Sequence, residues 1–236
     1  AGDPWNTVSS GGQTSSYQIP DGAQPSAPAG GDADLHVIDP THHFVDECWQ
    51  MVATGPHTWT CTSHVRTDLY ATGVGAGGVR AYGGSAIGGL LRVGEITSGV
   101  IPHALALALD GRQQSRSTPY VWPATASDDP SGYSGSVPMG TLVAIPPWVN
   151  VNALGLSPSG VALATALQNY GGYDVDSNNN GLGAYAETAA EGLPQLDAMR
   201  NDWVAIARQL RPVTDNSPAS VGGGGVPRAL IAAPLG

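Results

Sequence analysis

The residues best suited to chemistry cluster around two apolar runs near the middle of the chain. Arg92 and Glu95 follow the run Ala86–Leu91, and His103 stands immediately before the run Ala104–Leu109. A polar side chain at the mouth of a buried run costs free energy unless a partner satisfies it. These three side chains are therefore predicted to form either a structural polar network or part of a site.

His103 is a candidate general base. Polysaccharide lyases use such a base to abstract the proton from the carbon beside a uronic carboxyl. In this interpretation Tyr120 or Tyr185 protonates the leaving oxygen, and Arg92 binds and neutralises the uronate. The alternative is a core histidine that is bonded to a backbone carbonyl, and the sequence leaves both interpretations open.

Carboxylates offer a second chemistry, that of a glycoside hydrolase. In the predicted strand His42–Met51, Glu47 and Trp49 point to the same face. A carboxylate beside an indole on a concave sheet places an acid next to a ring that stacks on a sugar. Glu47 is predicted to be catalytic and Trp49 to bind substrate, with Glu187 as the partner carboxylate. The alternatives are an exposed charge on a half-solvated strand and a charge at a strand end.

The segment YVWPATASDD adds a ring and an acid close together. Trp122 is predicted to stack on a sugar, and Asp128 to act as acid or base. The alternative role for Asp128 is to cap a turn, as aspartate commonly does. In a binding protein without catalysis, Tyr133 would join Trp49 and Trp122 as a stacking ring.

The segment DSNNNGLGAYAE matches the EF-hand pattern at every fixed position. The calcium ligands would be Asp176, Asn178, Asn180 and Glu187. An Asn-Gly hairpin turn explains the same letters, and Gly171-Gly172 leaves no helix against the start of the loop. Calcium is therefore an alternative to a simple turn, and no other metal or cofactor is predicted.

Composition excludes several classes of protein. The 236 residues include no lysine, which excludes Schiff-base and PLP chemistry and the P-loop lysine. A net charge of −10 argues against a nucleic-acid partner. No apolar run reaches the ~18 residues of a membrane span. No nucleophile elbow of the G-x-S-x-G type is present.

The two cysteines, Cys48 and Cys61, are predicted to form a disulfide. The turn signal at Ala53–Pro56 indicates a hairpin centred on Thr54 and Gly55, which places the two cysteines opposite each other and within bonding reach. A disulfide implies an oxidising compartment, so the protein is predicted to be secreted. The alternative is a pair of free buried thiols.

Short strands with many turn signals, and helices only late in the chain, indicate a mainly β, α+β fold with a β-sandwich or jelly-roll-like core. We predict an irregular N-terminal segment over residues 1–31, a β-sandwich domain over 32–192, and a C-terminal helix with an extended tail over 193–236 that packs on the same domain.

Two helices are predicted late in the chain. The first begins with Ser157 as its cap and Pro158 in its first turn, and Gly171-Gly172 ends it. The second covers Gln195–Leu210, with an apolar stripe on one side. Between them, Tyr173–Asp176 and Gly183–Glu187 are predicted to pair as a hairpin.

The pattern GGLLRVGEI-x2-G-x-I-x-HALALAL, followed by YVWPATASD and then YAE, resembles a group of uncharacterised secreted actinobacterial proteins. The matching segments of that group read roughly GGLIR-x-x-E-I-x-x-G-x-I-x-HAL, Y-x-PA-x-x-S-D and YAE. The resemblance covers about residues 20–190. It implies a jelly-roll sandwich and, by association with carbohydrate-active proteins, a glycan partner, and it assigns no catalytic residue.

Three hypotheses about function follow. The first is a secreted enzyme that cleaves a polysaccharide or oligosaccharide, as a hydrolase with paired carboxylates or as a lyase with His, Tyr and Arg. The second is a carbohydrate-binding protein without catalysis. The third is an extracellular structural or assembly subunit. We favour the enzyme, because the sequence offers both acids and rings at plausible spacings.

Overall fold

Exposed and buried side chains alternate along the first strand of the chain. The computed structural model describes residues 2–71, 77–179 and 181–224. Strands β1 (Trp5–Ser10) and β2 (Gln13–Gln18) form an antiparallel hairpin whose two-residue turn is Gly11-Gly12, both at positive φ. Val8 and Tyr17 are buried. The prediction of an irregular segment over residues 1–31 is therefore wrong here, because the Ser and Thr residues form the outer face of a real hairpin.

Five further strands complete two sheets. They are β3 (Leu35–Ile38), β4 (Phe44–Trp49), β5 (Val52–Gly55), β6 (Thr58–Thr60) and β7 (Ser63–Asp68). One sheet has the order β2-β1-β6-β5, with β1 parallel to β6, and the other has the order β3-β4-β7. These strands belong to the first of two compact units, which divide the chain between Ile87 and Gly88. The division differs from the predicted domain over 32–192.

The disulfide between Cys48 and Cys61 is present, with their Cα atoms 5.9 Å apart. The predicted hairpin that would place Cys48 opposite Cys61 is not formed. Instead, β4 pairs with β3 and β7, which places Cys48 opposite Leu35 and His64. The turn joins β5 to β6 instead, and Cys61 directly follows β6. The disulfide therefore links the two sheets of the first unit inside their shared apolar core.

The second unit is built around a strand that is buried along its whole length, β8 (Leu105–Asp110). The other strands of its sheet are β9 (Leu142–Ala144), β10 (Gly172–Asn178), β11 (Gly183–Ala184) and β12 (Arg211–Pro212). The order is β11-β8-β10-β9-β12, and β8 is parallel to β10. The predicted hairpin between the last two long segments is wrong, since β10 and β11 lie on opposite sides of β8. A jelly roll, by contrast, is built from antiparallel strands.

Three α-helices lie in the described part of the second unit: α1 (Val93–Ser98), α2 (Pro158–Asn169) and α3 (Pro194–Ala207). The start of α2 is confirmed, because the Ser157 hydroxyl accepts the N–H of Gly160 at 3.0 Å. Gly171, at φ 75°, follows its end. Helices α2 and α3 bury their apolar sides in one core with β8 and β9.

The fold class is confirmed as mainly β, with 30% of the described residues in strands and 20% in helices. Three sheets and three α-helices are present in the described residues, which makes a β-rich α+β fold. Within those ranges, no helix has both the length and the apolar character needed to cross a membrane.

Candidate functional site

Strand β10 carries two aspartates on either side of a β-bulge. Asp174 is opposite Leu107 of β8, and Asp176 is opposite Ala108, so Val175 is an extra residue in β10. A bulge changes the direction of the side chains beside it. Asp174 has no exposed surface, whereas Asp176 is half-buried. The bulge therefore places one carboxyl in the core and the next near the surface.

Asp128, which the sequence singled out, faces Asp176. Burial raises the pKa of Asp128, and the negative charge of Asp176 and a hydrogen bond with its side chain act in the same direction, against hydrogen bonds with Ser177. The Asp176 carboxylate also accepts the hydroxyl of Tyr185 at 3.0 Å and the N–H of Ser177 at 2.9 Å. Asp128 therefore keeps its proton to a higher pH than an isolated aspartate does.

Asp174 lies behind this pair and is held by Gln114. The Gln114 amide donates to the Asp174 carboxyl at 3.1 Å and to the backbone oxygen of Asp176 at 3.0 Å. Burial raises the pKa of Asp174 to about 7, and the charge of Asp176 adds to the shift, while the Gln114 hydrogen bond opposes it. Gln114 is itself wholly buried, so it fixes the spacing between the two strand aspartates.

Tyr133 completes the group, which we call the acidic cluster: Asp128, Asp174, Asp176, Tyr133 and Tyr185. The Tyr133 ring is buried, and burial raises its pKa to about 12. The charges of the three aspartates act in the same direction. The three carboxyls therefore lie near enough to the Tyr133 phenol to disfavour its ionisation.

The predicted polar network of Arg92, Glu95 and His103 is present at the start of α1. His103 Nε2 lies 3.0 Å from the Glu95 carboxylate, and Nδ1 lies 2.8 Å from the Ala104 carbonyl. A carbonyl oxygen only accepts, so Nδ1 carries a hydrogen and donates. Glu95 also accepts the Arg92 N–H at 2.9 Å. Both ring nitrogens are therefore engaged, which fits the core histidine and not the predicted general base.

Glu187 joins the same network instead of a second catalytic carboxylate. One of its oxygens accepts the Val93 N–H at 2.9 Å, and the other lies 3.4 Å from the Arg92 guanidinium. A carboxylate at this position satisfies a free N–H in the first turn of α1. Arg92 and Glu187 thus bind each other and hold the helix, which leaves the predicted roles in substrate binding and catalysis without support from their contacts.

Glu47 lies in the core of the first unit, with 0% of its surface exposed. It accepts the Ser85 hydroxyl and the N–H groups of Ala86 at 3.0 Å and Val79 at 3.4 Å. Burial raises its pKa, against these hydrogen bonds. The prediction that Glu47 is a catalytic acid on an open sheet face is therefore wrong. Both faces of β4 are covered, so neither set of alternating side chains is exposed. Trp49, half-buried, donates to Asp32 at 3.2 Å.

Two of the rings that were predicted to bind substrate lie on the segment that leads to Asp128. Tyr120 is 45% exposed and forms a single bridge with Met139, and Trp122 is half-buried before a cis bond to Pro123. This segment therefore offers aromatic surface shortly before the acid of the cluster.

The described residues of the predicted calcium loop are engaged elsewhere, and Asn180 lies outside the described residues. Asn178 donates to the Ala108 carbonyl at 3.1 Å, and Glu187 binds the start of α1. Within the described ranges, no group of three or more His, Cys, Asp or Glu side chains is placed to hold a metal ion. The contacts thus favour a loop that is organised by hydrogen bonds.

Two members of the site were missed from the sequence. Asp174 could have been predicted from the sequence, because it lies two residues before Asp176 on a buried strand, where a carboxyl needs a hydrogen-bond partner. Nothing in the sequence indicated a buried role for Gln114, because it lies in a polar segment that is typical of an exposed loop.

Comparisons with known proteins identify no family for this chain. No family model, no curated protein and no solved structure matches the chain. The candidate site therefore stands on the geometry of the acidic cluster alone.

Proposed function

We propose that this protein is a secreted glycoside hydrolase that cleaves a polysaccharide, and that Asp128 donates the proton. The observation that supports the proposal is the Asp128–Asp176 pair, in which a surface carboxyl has a raised pKa beside a carboxylate that accepts two further hydrogen bonds. A raised carboxyl pKa favours general-acid catalysis, because the group keeps its proton to a higher pH than an ordinary aspartate does.

In the proposed step, Asp128 transfers its proton to the glycosidic oxygen as the bond from that oxygen to the sugar carbon breaks. A water molecule supplies hydroxide to the carbon, and the remaining proton returns to the pair. Carboxyls in hydrogen-bond contact are closer than the roughly 5–10 Å that separates two carboxylates on either side of a glycosidic bond. Asp128 and Asp176 therefore act together as one acid.

Several features support a glycan as the substrate. Acetal hydrolysis needs an acid and water, and it needs neither a lysine nor a serine nucleophile elbow, which the chain lacks. Tyr120 and Trp122 supply aromatic surface on the segment before Asp128. Carboxylates in the acidic cluster would repel a uronate, so we propose a neutral glycan as the substrate. The contacts of His103 also weigh against the lyase.

Secretion is part of the proposal. The Cys48–Cys61 disulfide supports it, because such bonds form and persist in oxidising compartments.

The test is the release of reducing ends from a panel of neutral and uronic polysaccharides by wild type, Asp128→Asn and Asp129→Asn. Asp129 is the matched control, because it is the adjacent aspartate and its carboxylate accepts the Ser131 N–H at 2.9 Å. Asp128→Asn is expected to lower the rate by about 100-fold or more, since the amide donates no proton to a leaving oxygen. Equal rates in both variants would contradict the proposal.

A carbohydrate-binding protein without catalysis is the second candidate. Trp148 follows Pro146-Pro147 and is 82% exposed, which is typical of a ring held out for stacking. Binding of oligosaccharides that Trp148→Ala abolishes, together with no cleavage by wild type, would favour this candidate.

A further inference from the structure

His64, on β7 of the first unit, lies between a carboxylate and a hydroxyl. Its Nε2 is 3.1 Å from the Asp46 carboxylate, and its Nδ1 is 3.5 Å from the hydroxyl of Ser15 on β2. An ionised carboxylate only accepts, so Nε2 carries a hydrogen, and in the neutral ring Nδ1 keeps a lone pair. His64 therefore differs from His103, whose Nδ1 donates to the Ala104 carbonyl, and it is able to accept the Ser15 proton.

Asp46 and the ring of His64 are both held in place. Asp46 is 2% exposed, and its second carboxylate oxygen accepts from the Arg66 guanidinium at 2.7 Å. The ring of Tyr17 stacks on His64, with 5.6 Å between the ring centroids and 17° between the planes. Ser15 and Tyr17 are two positions apart on β2, so they share the face of that strand that meets His64.

We propose that Ser15, His64 and Asp46 form a catalytic triad that hydrolyses carboxylic esters. Such triads are recognised by geometry and roles, so the inference does not need a nucleophile elbow in the sequence. Ser15 is the nucleophile, His64 is the base, and Asp46 is the positioning residue that orients the imidazole. The distance of 3.5 Å is long for a hydrogen bond, and such contacts shorten when substrate binds. The activity goes beyond the proposed glycoside hydrolase and uses no residue of the acidic cluster.

In the proposed reaction, the Ser15 Oγ forms a bond to the ester carbonyl carbon as its proton passes to His64 Nδ1. The bond from that carbon to the alcohol oxygen then breaks, and Nδ1 gives the proton to the leaving oxygen. A water molecule next loses a proton to Nδ1 and attacks the acyl group on Ser15. The carboxylic acid leaves, and the proton returns to the serine oxygen.

The backbone N–H of Ser16 is a donor for the developing oxyanion. The Thr7 N–H donates to the His57 carbonyl at 2.9 Å, on the β6 side of β1, so Thr7 and its opposite residue Ser16 do not hydrogen bond to each other. Ser16 therefore turns its N–H away from β1, towards the open edge of the sheet at β2. This N–H follows the nucleophile directly, as one donor of an oxyanion hole commonly does.

The exposure of the reacting groups indicates a small acyl group. The His64 side chain is 16% exposed, and Ser15 is half-buried, so the two groups meet solvent over a small area. An ester of a short carboxylic acid fits such an opening better than an extended peptide or a long acyl chain does.

The first test is covalent labelling of the full chain with diisopropyl fluorophosphate, followed by mass spectrometry of its peptides. The reagent forms a P–O bond to an activated serine and loses fluoride, while the serine proton passes to the base. We expect label on Ser15 in wild type and in Ser9→Ala. Ser9 is the matched control, because it is an exposed serine on β1 whose hydroxyl lies 3.5 Å from that of Thr14. His64→Gln is expected to slow the labelling by about 100-fold or more, because the base is lost.

The second test is the hydrolysis of p-nitrophenyl acetate by wild type, Ser15→Ala and His43→Gln. The His43 side chain is 48% exposed, so this variant controls for hydrolysis by a surface imidazole. We expect Ser15→Ala to lower the rate by about 100-fold or more and His43→Gln to keep most of it. Unchanged amide exchange at Val8 would show that the core of the first unit is intact in Ser15→Ala. Absence of label on Ser15 in wild type, or equal rates in wild type and Ser15→Ala, would overturn the inference and leave the three side chains as a structural polar network.

Discussion

The three aspartates of the acidic cluster differ in exposure, and this gives them different roles. Asp128 is the most exposed of the three, although part of its carboxyl is shielded from water, Asp176 is half-buried, and Asp174 is wholly buried. Loss of hydration disfavours the charged form of a carboxyl, and it raises the pKa of Asp174 to about 7. The pKa of Asp174 therefore affects the stability of the fold, whereas the two more exposed aspartates form the pair that we propose as the acid.

Asp174→Asn is expected to gain stability over wild type as the pH rises from about 4 to about 8. The folded-state pKa of Asp174 lies above its ordinary value, so its contribution is complete below about pH 4 and is lost as the pH passes about 7. At about 1.4 kcal/mol per pKa unit, the change is on the order of a few kcal/mol. Urea unfolding at three pH values measures it, with the exposed Asp215→Asn as control. A difference in stability that is independent of pH would contradict the expectation.

Glu47→Gln is expected to destabilise the first unit by about 2 kcal/mol, because charged hydrogen bonds to buried N–H groups are among the stronger ones. An amide in place of one oxygen turns an NH2 group towards the Ala86 and Val79 N–H donors or towards Ser85. The midpoint of urea unfolding measures the loss. Glu191→Gln, at an exposed ion pair with Arg200, is the control and is expected to cost less than about 1 kcal/mol. Equal costs in the two variants would show that Glu47 does not stabilise the segment from Val79 to Ala86 that it binds.

At the scale of elements, the cap of α2 is the clearest case in which one side chain sets a boundary. Ser157→Ala is expected to cost about 1 kcal/mol of unfolding free energy, because the hydroxyl that accepts the Gly160 N–H and donates to Asp202 is lost. Thermal unfolding measures the cost. Ser159→Ala, two positions inside the same helix, is the matched control and is expected to be neutral or slightly stabilising. A similar loss in both variants would contradict the role of the cap.

Elements with local signals were predictable, and elements that depend on distant partners were not. Helix α2 has Ser-Pro before it and Gly-Gly after it, and both signals act within a few residues. The segments that became β10 and β11 looked like a hairpin because they are close in sequence. Each pairs with β8 instead, some 60 or more residues earlier, since the fully apolar β8 gains most by lying between them.

Dependence on partners that are distant in sequence also limits how much of the site could be predicted. Arg92, Glu95 and His103 lie within 12 positions, and their network was predictable as such. Asp128 and Asp176 were each noticed alone, because only the order of strands around β8 brings them together. Glu47 was placed on a solvent-facing side because alternation shows which side chains share a face and does not show what covers that face.

At the scale of the whole molecule, the two units have separate apolar cores. The core of the first unit includes the disulfide, together with Val8, Tyr17 and Met51. The core of the second unit is larger and is formed by the sheet around β8 with the three α-helices. Both cysteines belong to the first unit, so removing the disulfide is expected to destabilise the core of that unit only.

The double variant Cys48→Ala/Cys61→Ala is expected to lower the stability of the first unit by about 3 kcal/mol, the value for a closed loop of about 15 residues, since the cysteines are 13 positions apart. Amide hydrogen exchange measures each unit separately, with Val8 reporting on the first core and Leu107 on the second. Faster exchange at Val8 with unchanged exchange at Leu107 is the expected result, and Leu107 serves as the internal control. Equal acceleration at both amides would show that the two cores unfold as one cooperative body, and the disulfide would then stabilise the acidic cluster as well.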